Sequence, residues 1–143
     1  MLVLVALLLI NLWVLKNTVE PPELVHVKEK YSILRKHLRE ENHVKFKKIW
    51  RAKPVTGFTK MRGDTVGYNT NKGEDIALCL DGTPNEIFHV LIHELAHCTV
   101  DTYSHSKEFW SNYIELRDMC INLGLYEKIP ANTKFCGQHI SDE

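Results

Sequence analysis

The stretch TPNEIFHVLIHELAHC, residues 83–98, determines more of the fold than any other part of the chain. Thr83 fits a helix N-cap, Pro84 fits the first helical position, and Glu86 completes a capping box with Thr83. Apolar residues then recur at helical spacing as far as Cys98. The stretch therefore predicts a helix that begins at Pro84 and packs into the core.

The same helix carries a metal-binding pattern. The run His93-Glu94-Leu95-Ala96-His97 is an H-E-x-x-H motif, and its four-residue spacing places both imidazoles on one helical face. Two such imidazoles can hold one Zn²⁺, and Glu94 can then reach a water molecule without being a ligand. A pair of core histidines satisfied by their neighbours is the alternative. The intervening Glu94 favours a catalytic zinc site.

A catalytic zinc site needs a third protein ligand and one open coordination position. We prefer His105, because residues 100–104 can form a short turn that returns its imidazole to the metal. His89, one turn before His93, is expected to lie behind the ligands or at the surface. Three carboxylates remain alternatives for the third ligand: Glu115, Asp101 and Glu108.

Two more helices are predicted around this one. Residues 23–42 place apolar side chains at spacings of three and four, with charges between them. Residues 106–123 repeat this pattern, and Gly124 stands where a C-terminal cap belongs. Both segments are typical of amphipathic helices that pack on a core.

Short strands are expected between these helices. Residues 75–80 are apolar and end at an Asp-Gly turn, which predicts a buried strand. Residues 44–53 mix β-formers with lysines and predict a strand exposed on one face. Glycines and asparagines in residues 57–73 indicate turns, and the tail from Leu125 is expected to be mostly irregular. The fold class is therefore α+β, with a short sheet.

The N-terminus differs from the rest of the chain. Residues 1–15, MLVLVALLLINLWVL, are apolar all round except for Asn11, which is typical of a helix in lipid. We interpret residues 1–19 as an uncleaved membrane anchor; a signal peptide and a buried or artefactual leader are the alternatives. The basic residues that follow from Lys16 predict that residues 20–143 form a domain on the cytosolic side.

Composition limits the remaining functions. The 143 residues suffice for one ordinary domain, and a net charge of zero argues against binding through bulk charge. That charge is unevenly distributed, since residues 63–143 hold five basic and thirteen acidic side chains. Residues 45–62 hold seven basic side chains and none that is acidic. With its interleaved aromatics, this basic stretch (residues 45–62) is either a solvated face or a contact for nucleic acid or anionic lipid.

The cysteines do not form a recognisable framework. Cys79, Cys98, Cys120 and Cys136 are scattered, and none belongs to a C-x-x-C pair. We expect reduced, mostly buried thiols, as in a cytosolic domain. A bridge involving Cys120 or Cys136 is the alternative if the domain lies elsewhere.

Several of these residues together resemble a known family. An ordered series of segments is similar to the WLM zinc metalloproteases: Tyr68-Asn69 to Ile76, Leu78-Cys79-Leu80, the HELAH run at 93–97 and His105-Ser106-Lys107-Glu108-Phe109-Trp110. These are related to the SprT-like proteases that digest DNA–protein crosslinks. The resemblance covers residues 24–125 and implies a small zincin fold. It also implies that His93, His97 and His105 bind zinc and that Glu94 is the catalytic acid/base.

The predicted function follows from the motif, the anchor and the resemblance. We expect a single-pass, membrane-anchored zinc endopeptidase that cleaves protein or peptide substrates with a metal-activated water and Glu94 as general base. A catalytically silent, zinc-stabilised interaction module tethered to a membrane is one alternative. A soluble DNA-associated protease acting on DNA–protein crosslinks is another. Glu94 argues against the silent module, because a structural zinc site has no need of a general base.

Overall fold

Helices and short strands mix along the chain, as the α+β prediction requires. The computed structural model describes residues 1–59 and 65–142. The elements are α1 (Leu2–Thr18), α2 (Pro22–Glu40), a 3-10 helix (Val44–Ile49), β1 (Val55–Phe58), β2 (Gly67–Thr70), β3 (Asp75–Cys79), α3 (Pro84–Cys98), α4 (Lys107–Asn122), β4 (Thr133–Phe135) and β5 (Gln138–Ile140).

A three-stranded sheet forms one layer of the domain. Its order is β1-β3-β2, with β3 parallel to β1 and antiparallel to β2. Four of the five β3 residues, Ile76 to Cys79, are buried, which agrees with the apolar strand predicted at 75–80. The helix α3 packs on β2 and β3, while α2 and α4 pack on α3. Because neighbours surround α3, ten of its 15 residues are buried.

The start of α3 is as predicted. The Thr83 hydroxyl accepts a hydrogen bond from the Glu86 backbone N–H at 3.2 Å, and the Glu86 carboxylate accepts one from the Thr83 N–H at 2.8 Å. Pro84 occupies the first turn. This reciprocal capping box satisfies two backbone donors that the helix itself leaves unpaired.

The strand predicted at residues 44–53 is wrong. Val44–Ile49 form a 3-10 helix instead, and the strand β1 begins only after Pro54. The side chains that anchor the segment, Phe46 and Ile49, are both fully buried. Their spacing of three suits a 3-10 turn, whereas a half-buried strand would bury alternate residues.

Part of the segment predicted as turns is a strand. Gly67 and the residues after it form β2, an edge strand that lies against α3. A Cβ on Gly67 would lie only 2.6 Å from the Val90 Cγ1 atom. A glycine at this position therefore lets the strand approach α3 closely. Gly63, another of the predicted turn residues, lies outside the described residues.

The C-terminal tail is more regular than expected, because β4 and β5 pair as an antiparallel hairpin. Its two turn residues, Cys136 and Gly137, have φ values of 50° and 78°. Positive φ at both central positions is the signature of a type I′ turn, which joins antiparallel strands tightly. Asn-Gly and Asp-Gly are its usual sequences, so Cys-Gly did not signal it.

The hairpin also corrects the prediction that all four cysteines are reduced. Cys136 at its tip forms a disulfide with Cys79 at the end of β3, across 57 residues of sequence. Cys98 and Cys120 are free and buried, as expected. Spacing along the chain holds no information on such a distant pairing, which depends on where the hairpin docks. The alternative that involved Cys136 is the one realised.

The N-terminal helix α1 stands apart from the core. All of its residues are exposed, and extended backbone through Val19 and Pro21 separates it from α2. Among the described helices, none is by itself both long and apolar enough to cross a membrane. The pair α1 and α2 would satisfy that test together, with a bend of 50° between them.

Candidate metal centre

Three histidines converge beside α3. His93 and His97 project from the second half of this helix, and His105 comes from the loop that follows it. The Nε2 atoms of His93 and His105 lie 3.1 Å apart. One nitrogen from each ring falls within 4.8 Å of the others. The structure thus brings together the three residues predicted as ligands.

The donor set fits Zn²⁺. Four ligands at about 2.0 to 2.1 Å in a tetrahedron lie about 3.3 Å from one another, close to the separation of the His93 and His105 nitrogens. Burial, with repulsion from the neighbouring imidazoles, lowers the pKa of His93 to about 3. Burial and the charges of His105 and Lys72 lower the pKa of His97 to about 4. These two rings are therefore neutral at pH 7, which is the form that binds a metal.

The loop after α3 is held so that His105 faces the other two rings. The Lys72 ammonium donates to the His97 carbonyl at 2.9 Å and also to the Thr102 carbonyl. The same ammonium lies 4.5 Å from the centre of the Tyr103 ring. Lys72 therefore ties the end of α3 to the loop that carries the third histidine.

The Phe109 ring backs the histidine cluster, with the Trp110 and Tyr113 rings beside it. The Phe109 ring centre lies 5.0 Å from that of His93, 4.4 Å from His97 and 4.8 Å from His105. Phe109 lies in the first turn of α4, where its N–H donates to the N-cap hydroxyl of Ser106. The cap of α4 thereby sets the position of a side chain that touches all three rings.

The alternative third ligands lie elsewhere. Glu115 forms an ion pair with Lys45, and its carboxylate lies 3.4 Å from the His43 Nε2 atom. Asp101 pairs with Lys48 at 2.8 Å. In the described part of the chain, no carboxylate joins the three histidines as a further candidate ligand, Glu108 included.

Glu94 lies between two cavities. One measures about 200 Å³ and the other about 400 Å³, and both are lined by Glu94 and His97. The side chain is largely buried, and burial raises the pKa of Glu94 to about 7. A carboxyl group with this pKa can both take and give a proton near neutral pH.

Sequence reasoning assigned no role to Asn69. Its amide nitrogen donates to the Glu94 carbonyl at 2.9 Å and to the Cys98 sulfur at 3.1 Å, and its oxygen accepts from the Gly73 N–H at 2.6 Å. Asn69 thus holds β2 against the helix at the position of the general base candidate. The asparagine-rich turn signal gave no indication of this contact.

His89 is buried rather than at the surface. Its Nδ1 atom lies 3.0 Å from the Tyr126 hydroxyl, 3.2 Å from the Tyr113 hydroxyl and 3.4 Å from an Asp142 oxygen. His89 also lines the larger cavity together with the proposed metal ligands. Neither Tyr126 nor Asp142 carried a sequence signal, because both lie in the tail predicted to be irregular.

Three imidazoles therefore converge beside one buried carboxyl group. The WLM domain matches residues 28–142. The chain belongs to the WLM family. This match extends the resemblance noted above into the C-terminal hairpin, so the hairpin belongs to the WLM domain together with the sheet and the site. Searches of curated proteins and of solved structures give no match. WLM domains are associated with metalloprotease activity, which indicates a protease-like function for the chain.

Proposed function

We propose that this WLM protein is a zinc-dependent endopeptidase with His93, His97 and His105 as its ligands and Glu94 as its general base. The convergence of the three imidazoles beside a buried carboxyl group, where two cavities meet, is the observation that carries the proposal. Three ligands leave one position open, as catalytic zinc sites require.

The chemistry divides between the ion and the chain. When bound, Zn²⁺ lowers the pKa of a water molecule toward neutrality and polarises a carbonyl group. Glu94 takes a proton from the attacking water and then delivers it to the leaving amine, and a pKa of about 7 suits both transfers. Asn69 keeps the adjacent backbone in place, through its bond to the Glu94 carbonyl.

A silent, zinc-stabilised module is less consistent with this site. A buried carboxyl group without a cationic partner lowers stability, and within residues 1–59 and 65–142 no salt bridge includes Glu94. Such a group is expected where it serves chemistry. The adjoining cavities also give an extended substrate a path to the histidines.

We further propose that residues 1–19 anchor the catalytic domain, residues 20–143, to a membrane. The support is the exposed apolar surface of α1, which has no protein partner to cover it within the described chain. Its 17 residues span about 25 Å, against a hydrocarbon core of about 30 Å. Local bilayer thinning accommodates a difference of this size.

Two features of the chain indicate opposite sides of the membrane for the domain. The basic residues after α1 favour the cytosol, whereas the Cys79–Cys136 disulfide favours an oxidising compartment. We propose the oxidising side, because orientation by charge is a bias that other features override, while persistent disulfides are rare in the cytosol. Alkylation of intact cells with a membrane-impermeant thiol reagent, before and after reduction, decides between the two.

For the basic stretch we propose contact with anionic lipid headgroups, so the leaflet that faces the oxidising compartment must itself carry anionic lipids. Phe46 and Phe58 are buried and Trp50 is partly buried against the core, so these rings offer little free surface to stack on an unpaired base, as single-stranded nucleic acid binding requires. Lys47 and Arg51 are exposed, and lipid headgroups need charge but no stacking. Lys60 and Arg62 lie outside the described residues.

The decisive experiment compares Glu94→Gln with wild type in detergent micelles. We expect both proteins to hold one zinc ion per chain, while cleavage of casein falls at least about a hundred-fold in the variant. Glu108→Gln, an equivalent change at an exposed position in the first turn of α4, is the matched control and should retain activity. A zinc-free wild-type protein, or an active Glu94→Gln variant, would contradict the proposal.

A further inference from the structure

Among the polar side chains that line the larger cavity beside the metal centre, His89 is a buried one to which the proposed reaction gives no role. His89 lies one helical turn before His93 and lines this cavity of about 400 Å³. Several of the other lining side chains are apolar: Val66, Val90, Trp110 and Ile140. Only 7% of the His89 side chain is exposed. A buried imidazole in a partly apolar cavity contributes either a donor or an acceptor, depending on its tautomer.

The neighbours of His89 determine that tautomer. The Tyr113 hydroxyl donates to one oxygen of Asp142 at 2.9 Å, and the Tyr126 hydroxyl donates to the same carboxylate at 2.8 Å. Each hydroxyl has only one proton, so both protons point at Asp142. The backbone N–H of Ile129 also donates to this carboxylate, at 2.7 Å. The tyrosine oxygens are then left with lone pairs toward His89.

The Nδ1 atom of His89 consequently faces oxygen acceptors only. Tyr126 and Tyr113 lie at 3.0 and 3.2 Å, and Asp142 at 3.4 Å. Nδ1 must therefore carry the proton, and in the neutral ring Nε2 carries the lone pair. Burial lowers the pKa of His89, which favours the neutral ring. Within the described chain the polar contacts of this ring run through Nδ1. Because His89 lines the cavity, we infer that Nε2 is the nitrogen that meets a group bound there.

We propose that His89 Nε2 is a fixed hydrogen-bond acceptor in the substrate cleft, and that the enzyme prefers substrates with a hydroxyl or carboxamide side chain beside the scissile bond. The inference rests on the proposed function, since it concerns the residue that enters the cavity next to the metal. An aliphatic side chain would leave Nε2 desolvated and unpaired. A cationic side chain is disfavoured beside a site built for Zn²⁺. Asp142 and the two tyrosines are positioning residues that act through His89.

Isosteric peptide pairs test the preference. Using the full-length, zinc-loaded protein in micelles, kcat/KM is measured for peptides that carry Thr or Val, and Asn or Leu, at each position flanking the scissile bond. At one position we expect Thr over Val and Asn over Leu by about ten-fold or more. His89→Phe should abolish this preference for Thr and Asn, while the Val and Leu peptides are still cleaved. His26→Phe, at an exposed position of α2, should keep it. Equal rates for both members of each pair would overturn the proposal.

A second measurement separates this proposal from the proposed function. Long-range ¹H–¹⁵N spectra of the full-length protein report which nitrogen of His89 carries the proton, whether or not any peptide is cleaved. We expect protonated Nδ1 and an Nε2 resonance that shifts on addition of acetamide, used as a probe of the cavity. A protonated Nε2 in the neutral ring, or no shift, would overturn the acceptor role. If no peptide is cleaved but the expected spectrum is observed, only the proposed function is contradicted.

Discussion

The Nε2 atom of His105 lies 3.1 Å from that of His93, although twelve residues separate them in sequence. The helix α3 places the first histidine, and the loop held by Lys72 together with the N-cap of α4 places the second. The candidate metal centre therefore depends on two helices and on the turn between them.

Removal of His105 should weaken zinc binding. Loss of a direct ligand costs at least as much as loss of a group that supports a ligand, for which about ten- to a hundred-fold is typical. For His105→Ala we expect a decrease in zinc affinity of about a hundred-fold or more, measured by competition with a chelator. Glu115→Ala is the control, because Glu115 pairs with Lys45 instead. Loss of zinc from the Glu115 variant with retention in the His105 variant would reverse the assignment.

The disulfide should be a major source of stability. Cys79 and Cys136 close a loop across 57 residues, for which the chain-entropy relation gives about 4 kcal/mol. When Cys136 is replaced by Ser, the free energy of unfolding measured with urea should be lower than that of the oxidised wild-type protein by roughly this amount. Cys120→Ala should leave the difference between the oxidised and reduced proteins intact, since Cys120 is a free thiol. Four titratable thiols in the unreduced, denatured protein would show that the bond is absent.

Acid should destabilise the metal-free protein. In the folded state burial lowers the pKa of His93 to about 3 and that of His97 to about 4, from 6.5. Below pH 6.5 the unfolded chain therefore binds protons that the folded chain does not, and stability falls as the pH falls. Each of these histidines contributes a slope of up to about 1.4 kcal/mol per pH unit. Burial raises the pKa of Glu94 from 4.5 to about 7, which contributes a slope of similar size and opposite sign. The net loss of stability toward acid is therefore about that of one histidine.

Chemical denaturation of the zinc-free protein between pH 7.5 and 4.5 measures this slope. His93→Phe should reduce it, while the exposed His26→Phe should not. Stability that is independent of pH in this interval would mean that the two imidazoles are not buried without the metal.

The basic stretch should strengthen binding to anionic vesicles. Each exposed Lys or Arg near such a surface contributes about 1 kcal/mol, which corresponds to about five-fold in affinity. Lys47→Gln and Arg51→Gln should therefore each weaken binding to vesicles containing phosphatidylserine and leave binding to neutral vesicles, which depends on α1, unchanged. The nucleic-acid alternative would be favoured instead if the wild-type protein is retained on single-stranded DNA in a salt-sensitive way and each substitution abolishes that retention.

Local sequence signals predicted the elements that local contacts stabilise. The capping box of Thr83 and Glu86, the buried strand β3 and the amphipathic α2 and α4 all form near the expected boundaries. The prediction failed at residues 44–53, where β-forming residue types favour a strand. Phe46 and Ile49 pack at a spacing of three, and only their burial distinguishes a 3-10 turn from a strand.

Residues 83–98 are enough to specify α3 and the face that presents His93, Glu94 and His97, because these relations extend over three or four residues along one helix. The distant groups that meet this face are brought to it by tertiary packing. The return of His105, the disulfide between Cys79 and Cys136, and the contact of Asp142 with His89 depend on how the loop and the hairpin dock. Such contacts arise when apolar surfaces pack, and no spacing along the chain specifies them.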